Sequence, residues 1–570
     1  MILRLTACVS LFLLKVCVGL DLEDKPASTS ADVKIPTIEV KGNKFFETGP
    51  GYQFFIKGIA YQKRRGSDEI YDRTLETFYI DSMANPKTCL RDLENFKELG
   101  INVVRVYQID PNANHDICMN EYAKAGIYIL ADLSEPELSI NRDKPSWDVE
   151  LFERYTSVID SMHSYRNVLG FFAGNEVTNS KVNTDASPFV KAAVRDVKDY
   201  IQSKGYRKIP VGYASNDDAE IRKLLFNYLT CTDEKQPNSS NNNGVDFLGL
   251  NMYEWCGYSS YTTSGYRERT MEFSDFSVPI FFSEYGCNTV SPRPFTEVEA
   301  LYGSTMSKVW SGGIAYEYFD SVNHYGIVTE DKDGGIHKSE DYGILKQRLN
   351  SIEPFKIHKS QIEKDIPSPN CTDYDSGSVW KASKEIPPRP DVGKCECLQS
   401  TLSCVVSPFQ DMKHEQEFLN RVCSSIDCHE IEADGSLGFY GRFSDCSTKQ
   451  KISFSLNKNY IHHHRKSEFC DFDGQAVLIT NSDKLDLKNI FARDGRTCQD
   501  AIGEGSDESD KKYEQYVNKK GNNGTMHYHS PIQRTNEKEM KKQSKSGGEK
   551  LTTGLIQYLI LMISFIYNFH

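Results

Sequence analysis

Eight short apolar runs alternate with amphipathic stretches between residues 40 and 350, and this alternation constrains the fold more than any other feature of the chain. The runs span 54–61, 101–109, 126–133, 168–176, 209–215, 247–255, 279–286 and 312–319. Several are rich in Val, Ile, Phe and Tyr, which suit the pleated backbone of a strand. Between many of them apolar residues recur at helical spacing, as in 89–99 and 152–163. Strand and helix alternating eight times predict an α/β chain of the (β/α)8, or TIM-barrel, type. A doubly wound sheet is the alternative, but no glycine-rich phosphate-binding turn follows the first run.

Beyond residue 352 the pattern fades. Ile366-Pro367-Ser368-Pro369 and Ile386-Pro387-Pro388-Arg389-Pro390 mark a linker or wrapping segment. Cysteines then crowd at 395, 397, 404, 423, 428, 446, 470 and 498, the density of a small disulfide-stapled module. Residues 500–550 carry few apolar positions and read as a disordered stalk. Both ends read as address labels. Arg4, the apolar stretch 5–14 and small residues near Cys17-Val18-Gly19 describe a secretory leader, with Lys15 interrupting it. The apolar tail 551–569 follows Ser544-Lys545-Ser546-Gly547-Gly548, the pattern of a GPI-lipid attachment signal, with Ser546 as the candidate attachment residue. A membrane-spanning tail anchor is the competing reading of that stretch. The expected organisation is a leader (1–20), a catalytic barrel (36–355), a wrapping segment (356–394), a cysteine-rich module (395–498), a polar stalk (499–546) and a GPI propeptide (547–570).

Sixteen cysteines occur, of which Cys8 and Cys17 fall in the leader. The even remainder implies disulfides in an oxidising compartment rather than metal ligands. Asn238, Asn370 and Asn523 head N-x-S/T glycosylation acceptors. A net charge of -13 argues against a nucleic-acid partner. His462-His463-His464 reads as a polar surface turn. Asp331-Lys332-Asp333-Gly334-Gly335 reads as a loop after the eighth strand, since it lacks the full spacing and closing Glu of an EF-hand. No metal or cofactor is expected.

In such a barrel, catalytic residues project from the C-terminal ends of strands. Two runs finish on glutamate: the fourth, Leu169-Gly170-Phe171-Phe172-Ala173-Gly174-Asn175-Glu176, and the seventh, Ile280-Phe281-Phe282-Ser283-Glu284-Tyr285-Gly286. A carboxyl just past an apolar strand is costly to desolvate, which tends to raise its pKa. A raised pKa suits a general acid, while a second carboxylate kept ionised can act as a nucleophile. Two such groups about 5 Å apart define a retaining glycosidase.

Residues 36–350 resemble the fungal β-1,3-glucanosyltransferases of glycoside hydrolase family 72. The matching pieces are Phe55-Ile56-Lys57-Gly58-Ile59-Ala60-Tyr61-Gln62, Val104-Arg105-Val106-Tyr107, Leu138-Ser139-Ile140-Asn141-Arg142 with Pro145 and Trp147, Phe171-Phe172-Ala173-Gly174-Asn175-Glu176, Gly249-Leu250-Asn251-Met252-Tyr253-Glu254-Trp255-Cys256 and Phe282-Ser283-Glu284-Tyr285-Gly286-Cys287. The cysteine-rich region more loosely resembles the family-43 carbohydrate-binding module, through Gly438-Phe439-Tyr440-Gly441, Ile452-Ser453-Phe454-Ser455-Leu456-Asn457 and Cys470-Asp471-Phe472-Asp473-Gly474. The resemblance implies that Glu176 is the acid/base, Glu284 the nucleophile and Asn175 a partner of the sugar 2-OH. It implies donor subsites lined by Gln62, Tyr107, Asp132, Ser134, Ser139, Asn141, Arg142 and Tyr316, with Asp217 and Arg222 on the acceptor side and Tyr253 near the nucleophile. Eight module cysteines alone allow about a hundred pairings. The resemblance implies Cys395–Cys446, Cys397–Cys498, Cys404–Cys470 and Cys423–Cys428, with Cys89–Cys118, Cys231–Cys371 and Cys256–Cys287 in the barrel region.

The implied reaction cleaves an internal β-1,3-glucan linkage and passes the glycosyl-enzyme to the non-reducing end of another glucan chain, elongating wall glucan. Donor and acceptor glucan are the expected partners, with the membrane reached through the lipid anchor. The chain is expected to be a monomer at the outer face of the plasma membrane, in the cell wall, or both. A plain endo-β-1,3-glucanase shares every catalytic residue. An inactive glucan-binding wall protein would be marked by loss of a glutamate at 176 or 284, and both are present. The module either binds glucan or only braces the barrel.

Overall fold

The computed structural model describes residues 34–64, 79–136, 138–232, 243–363, 366–373, 375, 378–408, 415–479, 486–503 and 513. The segments expected as leader and GPI tail, Asn238, Asn523, Ser546 and nearly all of the expected stalk lie outside these. No helix among the described residues is long and apolar enough to cross a membrane.

Eight parallel strands close a barrel in chain order: β1 Ile56–Ala60, β2 Val103–Val106, β3 Tyr128–Asp132, β4 Val168–Asn175, β5 Val211–Asn216, β6 Phe247–Cys256, β7 Ile280–Cys287 and β8 Trp310–Ala315. β8 pairs back onto β1, with Gly312 opposite Ile56 and Ala315 opposite Ile59. One helix follows each strand: α1 Pro86–Leu99, α2 Asp116–Lys124, α3 Val149–Met162, α4 Ser187–Ser203, α5 Arg222–Thr230, α6 Tyr266–Glu272, α7 Glu297–Tyr302 and α8 Glu340–Asn350. Ile56, Leu130, Leu169, Phe172, Phe247, Phe281 and Ile314 fill the barrel interior, while a larger apolar cluster lies between strands and helices.

The eighth strand begins and ends earlier than the expected 312–319. Past Ala315 the backbone turns over the end of β1, where the Tyr318 N–H donates to the Ala60 carbonyl at 2.9 Å. Tyr316 therefore stands on a loop at the strand's end. A hairpin of Ile38–Lys41 and Lys44–Glu47, absent from the sequence reading, seals the N-terminal end of the barrel. Its Phe45 ring packs 5.9 Å from Phe247 and 6.1 Å from Phe281, at the starts of β6 and β7.

Helix α3 shows how local sequence serves the site. The Asp148 carboxylate caps it, accepting from the Leu151 N–H at 3.1 Å. Leu151, Phe152, Tyr155, Val158, Ile159 and Met162 form its buried face, each such side chain contributing about 1.5–3 kcal/mol at most. Tyr155 also donates to the Ala173 carbonyl at 2.9 Å, fixing the helix to the strand that ends at Glu176.

The module comprises α9 Val392–Thr401, α10 Glu415–Cys423, α11 Thr448–His462, α12 Cys498–Ile502 and the antiparallel strands Cys404–Val406 and Ala476–Leu478. Disulfides join 395–446, 397–498, 404–470 and 423–428 in it, and 89–118, 231–371 and 256–287 in the barrel region, pair for pair the set that the resemblance implies. Cys231–Cys371 straps the wrapping segment to the barrel, and Trp380 of that segment is buried 5.2 Å from Tyr228. Asn370 is exposed on it. The module rests on α3 and α4: the Val149 N–H donates to the Asp445 carbonyl at 2.9 Å, and Phe189 meets Tyr440 at 5.8 Å. At Gly435 a Cβ would lie 2.1 Å from the Asp185 carbonyl oxygen, so only glycine allows this approach. Asp331–Gly335 is the turn of the hairpin between Val328–Glu330 and Ile336–Lys338, closed by its own hydrogen bonds. α11 ends at His462, and His463, stacked on Phe469, and His464 follow it.

Candidate active site

Glu284 lies within β7 and Glu176 immediately follows β4, both toward the C-terminal ends of their strands. Glu284 is 9% exposed. Its Oε1 accepts from Arg105 Nη1 at 3.2 Å and from the Tyr107 hydroxyl at 2.9 Å. Its Oε2 accepts from the Tyr253 hydroxyl at 2.8 Å. Burial pushes this carboxyl up to about 7; Arg105 pulls it down, the Glu176 charge raises it further, and the two tyrosine hydrogen bonds lower it. Burial and nearby negative charge hold Tyr253 and Tyr107 well above the ordinary phenol value, so both remain donors through neutrality.

Glu176 has φ +49°, a left-handed conformation that costs a non-glycine residue about 1–3 kcal/mol. Its neighbours fix it there. Its N–H donates to the Ala214 carbonyl at 2.9 Å, and Arg142 Nη2 donates to its carbonyl at 2.8 Å. Its Oε1 accepts from Asn251 Nδ2 at 2.7 Å. The Ser283 hydroxyl donates to Asn251 Oδ1 at 2.7 Å, which sets that amide with its nitrogen toward Glu176.

Arg105 joins these parts. Fully buried in β2, it donates to Asp132 at 3.2 and 3.1 Å, to Glu284 at 3.2 Å and to Asn175 Oδ1 at 3.0 Å. Its guanidinium lies 4.4 Å from the ring centres of both Tyr107 and Phe172. Asp132 is itself buried and its carboxyl raised by desolvation, with Arg105 opposing the rise. It thus anchors Arg105 at the end of β3. The observed bonds of the Gln62 amide likewise run to backbone: Oε1 accepts from the N–H groups of Tyr107 and Gln108, and Nε2 donates to Lys63 and Ile80 carbonyls. It positions Tyr107.

Tyr253, Tyr316 and Tyr325 form an aromatic wall beside Glu284, with ring centres 5.5–6.4 Å apart. Asp217 and Arg222 are bound into an ion-pair network: Asp217 to Arg222 at 3.2 Å and Arg269 at 3.0 Å, Arg222 to Glu272 at 2.9 Å, and Arg269 to Glu254 at 3.1 Å. Burial pushes Asp217 up to about 6 against the pull of the two arginines. The pair braces the loops after β5 and β6. Ser134 is buried, Ser139 is exposed, and Asn141 Oδ1 closes a turn with the N–H groups of Asp143 and Lys144. Among the described residues, Asp427, His429 and Glu430 of the module are close enough to share an ion, whereas the sulfurs of Cys395 and Cys446 beside Asp445 are bonded to each other.

Sequence reasoning passed over Arg105, Asn251 and Tyr325. A charged residue within Val103-Val104-Arg105-Val106 and an amide within Leu250-Asn251-Met252 were the available signals, because an apolar strand tolerates a polar side chain only when a partner waits for it.

A closed parallel barrel with one carboxylate after β4 and a second, triply hydrogen-bonded one on β7 defines a two-carboxylate carbohydrate-active enzyme. The chain belongs to the glucanosyltransferase family of glycoside hydrolases, family 72, whose model matches residues 27–353; an X8 domain matches residues 402–477. It is 55% identical over 497 residues to the 1,3-beta-glucanosyltransferase PGA5 of Candida albicans, covering 85% of this chain and 77% of that protein. It is 50% identical over 473 residues to the 1,3-beta-glucanosyltransferase GAS2 of Saccharomyces cerevisiae, covering 80% of this chain and 83% of that protein. A solved structure of a Glu-to-Gln variant of Saccharomyces cerevisiae Gas2p in complex with laminaritetraose and laminaripentaose superposes with a TM-score of 0.72 at 47% identity, covering 82% of this chain and 98% of that one.

Proposed function

We infer that this chain is a retaining 1,3-β-glucanosyltransferase that elongates β-1,3-glucan. The observation that carries the residue roles is the asymmetry of the two carboxylates. Glu284 accepts three hydrogen bonds, one from a cation, which favours its ionised form as a nucleophile. Glu176 faces a single amide from Asn251 and keeps a carboxyl oxygen for a proton. Glu284 attacks the anomeric carbon while Glu176 protonates the departing oxygen, leaving a glycosyl ester on Glu284. Glu176 then takes the proton of an incoming 3-OH, and the second displacement restores the original configuration. Tyr253 and Tyr316 offer ring faces to the sugar.

The test is incubation with a reduced linear β-1,3-gluco-oligosaccharide, with products resolved by size. Products longer than the substrate, missing from Glu176→Gln and Glu284→Gln variants, are expected. Only shorter products would make the chain a hydrolase; intact binding without turnover would make it a wall-binding protein.

The same reading places the enzyme outside the cell on a GPI lipid, supported by seven disulfides of the kind that persist in oxidising compartments. Release from membranes by a phosphatidylinositol-specific phospholipase is expected, and retention after treatment would favour a spanning anchor. The module's contacts with α3 and α4 support a bracing role.

A further inference from the structure

Behind the nucleophile, away from the cleft, one buried guanidinium gathers three pieces of backbone. Arg293 is 2% exposed. Its Nη1 donates to the Gly286 carbonyl at 3.2 Å and the Tyr316 carbonyl at 2.8 Å, and its Nη2 to the Tyr325 carbonyl at 2.6 Å. Its Nε and its backbone N–H both donate to the Asp341 carboxylate, at 2.6 and 2.9 Å. Asp341 lies in the first turn of α8, so the whole assembly hangs on the last helix of the barrel.

The three carbonyls are not scattered. Gly286 is two residues past Glu284 on the same strand, Tyr316 is the first residue beyond β8, and Tyr325 belongs to the loop that follows. The rings of Tyr316 and Tyr325 stand against Tyr253, whose hydroxyl bonds Glu284. Gly286 has φ +115°, and a Cβ there would lie 3.1 Å from the Phe295 ring and 3.4 Å from Arg293 Nη1. Glycine both adopts this backbone and leaves room for the guanidinium. A cation that only filled a charge vacancy would need one carboxylate. This one also fixes the nucleophile strand relative to the aromatic wall.

We propose that Arg293, oriented by Asp341, is a positioning residue for the nucleophile: it sets the Glu284 carboxylate at its attack distance without touching substrate. The proposal rests on Glu284 being the nucleophile. A shift of about 1 Å in such a group costs roughly 100-fold in rate, while ground-state sugar binding, which uses the cleft's rings, changes little.

The test uses 2-deoxy-2-fluoro-β-laminaribiosyl fluoride. A Glu284 oxygen bonds to the anomeric carbon, the C–F bond breaks, and fluoride leaves with its electron pair, so the slow-turnover ester is read by intact mass and peptide mapping. In Arg293→Lys and Asp341→Asn the trapping rate per folded molecule is expected to fall about 10- to 100-fold, with laminaripentaose affinity within about threefold of the wild type. Trapping at the wild-type rate, or affinity falling in parallel with trapping, overturns the proposal. Should Arg293→Lys not fold, Asp341→Asn alone decides, because it keeps the shape and one acceptor oxygen. Wild-type protein that is not labelled at Glu284 removes the nucleophile assignment and this proposal together, whereas labelled wild type with unaffected variants removes only the proposal.

Discussion

Replacing Tyr253 by Phe removes one hydroxyl and leaves the ring against Tyr316 and Tyr325. That hydroxyl donates to Glu284 Oε2 at 2.8 Å in a site where the carboxyl is 9% exposed. A hydrogen bond to a charged group contributes about 1.5–3 kcal/mol, which is about one to two pH units at 1.36 kcal/mol per unit. The bond favours the ionised form, so its loss raises the midpoint from about 7 in the wild type. The assay is the pH dependence of trapping by the fluoro-sugar, whose fluoride leaving group needs no acid and therefore reports nucleophile ionisation. The wild-type rate should climb through about 7, the Tyr253→Phe rate should climb about one to two units later, and both should reach similar plateaus. At pH 7 the variant is then slower by roughly 5- to 50-fold. Glu176→Gln should move the midpoint the other way, because the Glu176 charge raises Glu284. An unshifted midpoint with a lowered plateau would show that Tyr253 acts by geometry and would refute the electrostatic argument.

Asn251→Ala deletes the 2.7 Å partner of Glu176, so transfer from natural glucan should slow by about 10- to 100-fold, with a smaller loss on aryl glycosides that leave unaided. Burial pushes Glu297 and Glu317 from 4.5 up to about 7 in the folded chain. Between those values the folded state holds more protons than the unfolded state, so melting temperature should fall as pH rises through this window. Glu297→Gln should remove up to about 3 kcal/mol of that decline, read from melts at pH 4.5 and 8; an unchanged pH slope would contradict the burial argument. Joint Cys231→Ala and Cys371→Ala substitution opens the strap across 140 residues and should cost about 2–5 kcal/mol, with earlier proteolysis of the wrapping segment. Proteolysis at the wild-type rate would show that Trp380 and the hydrogen bonds around it hold that segment without the disulfide.

The eight strands were legible because each is a run of apolar residues bounded by helical periodicity, and this depends only on neighbours in the chain. Glu176 and Glu284 were legible for a related reason: a carboxylate at the end of such a run stands out against it. The hairpin that plugs the barrel was not legible, since Ile38–Lys41 and Lys44–Glu47 are four residues each and show their purpose only when Phe45 meets Phe247 and Phe281. The β8 boundary was misplaced because Tyr316, Tyr318 and Phe319 are as strand-like as their predecessors, and only pairing with β1 decides where the strand stops.

Sequence by itself determined the barrel, the order of its units, the two carboxylates and the change to a cysteine-rich module, all of them patterns of burial along one chain. Tertiary structure alone decided partners. Barrel closure carries Arg105 of β2 across the interior to Glu284 of β7 and makes Asp132 of β3 the anchor of that arginine. It joins Asp341 to Arg293 and Arg293 to three carbonyls. Periodicity records which side of a strand is buried. It does not record which buried donor will find which acceptor, because that choice is made by distances across the barrel that no spacing in the chain contains.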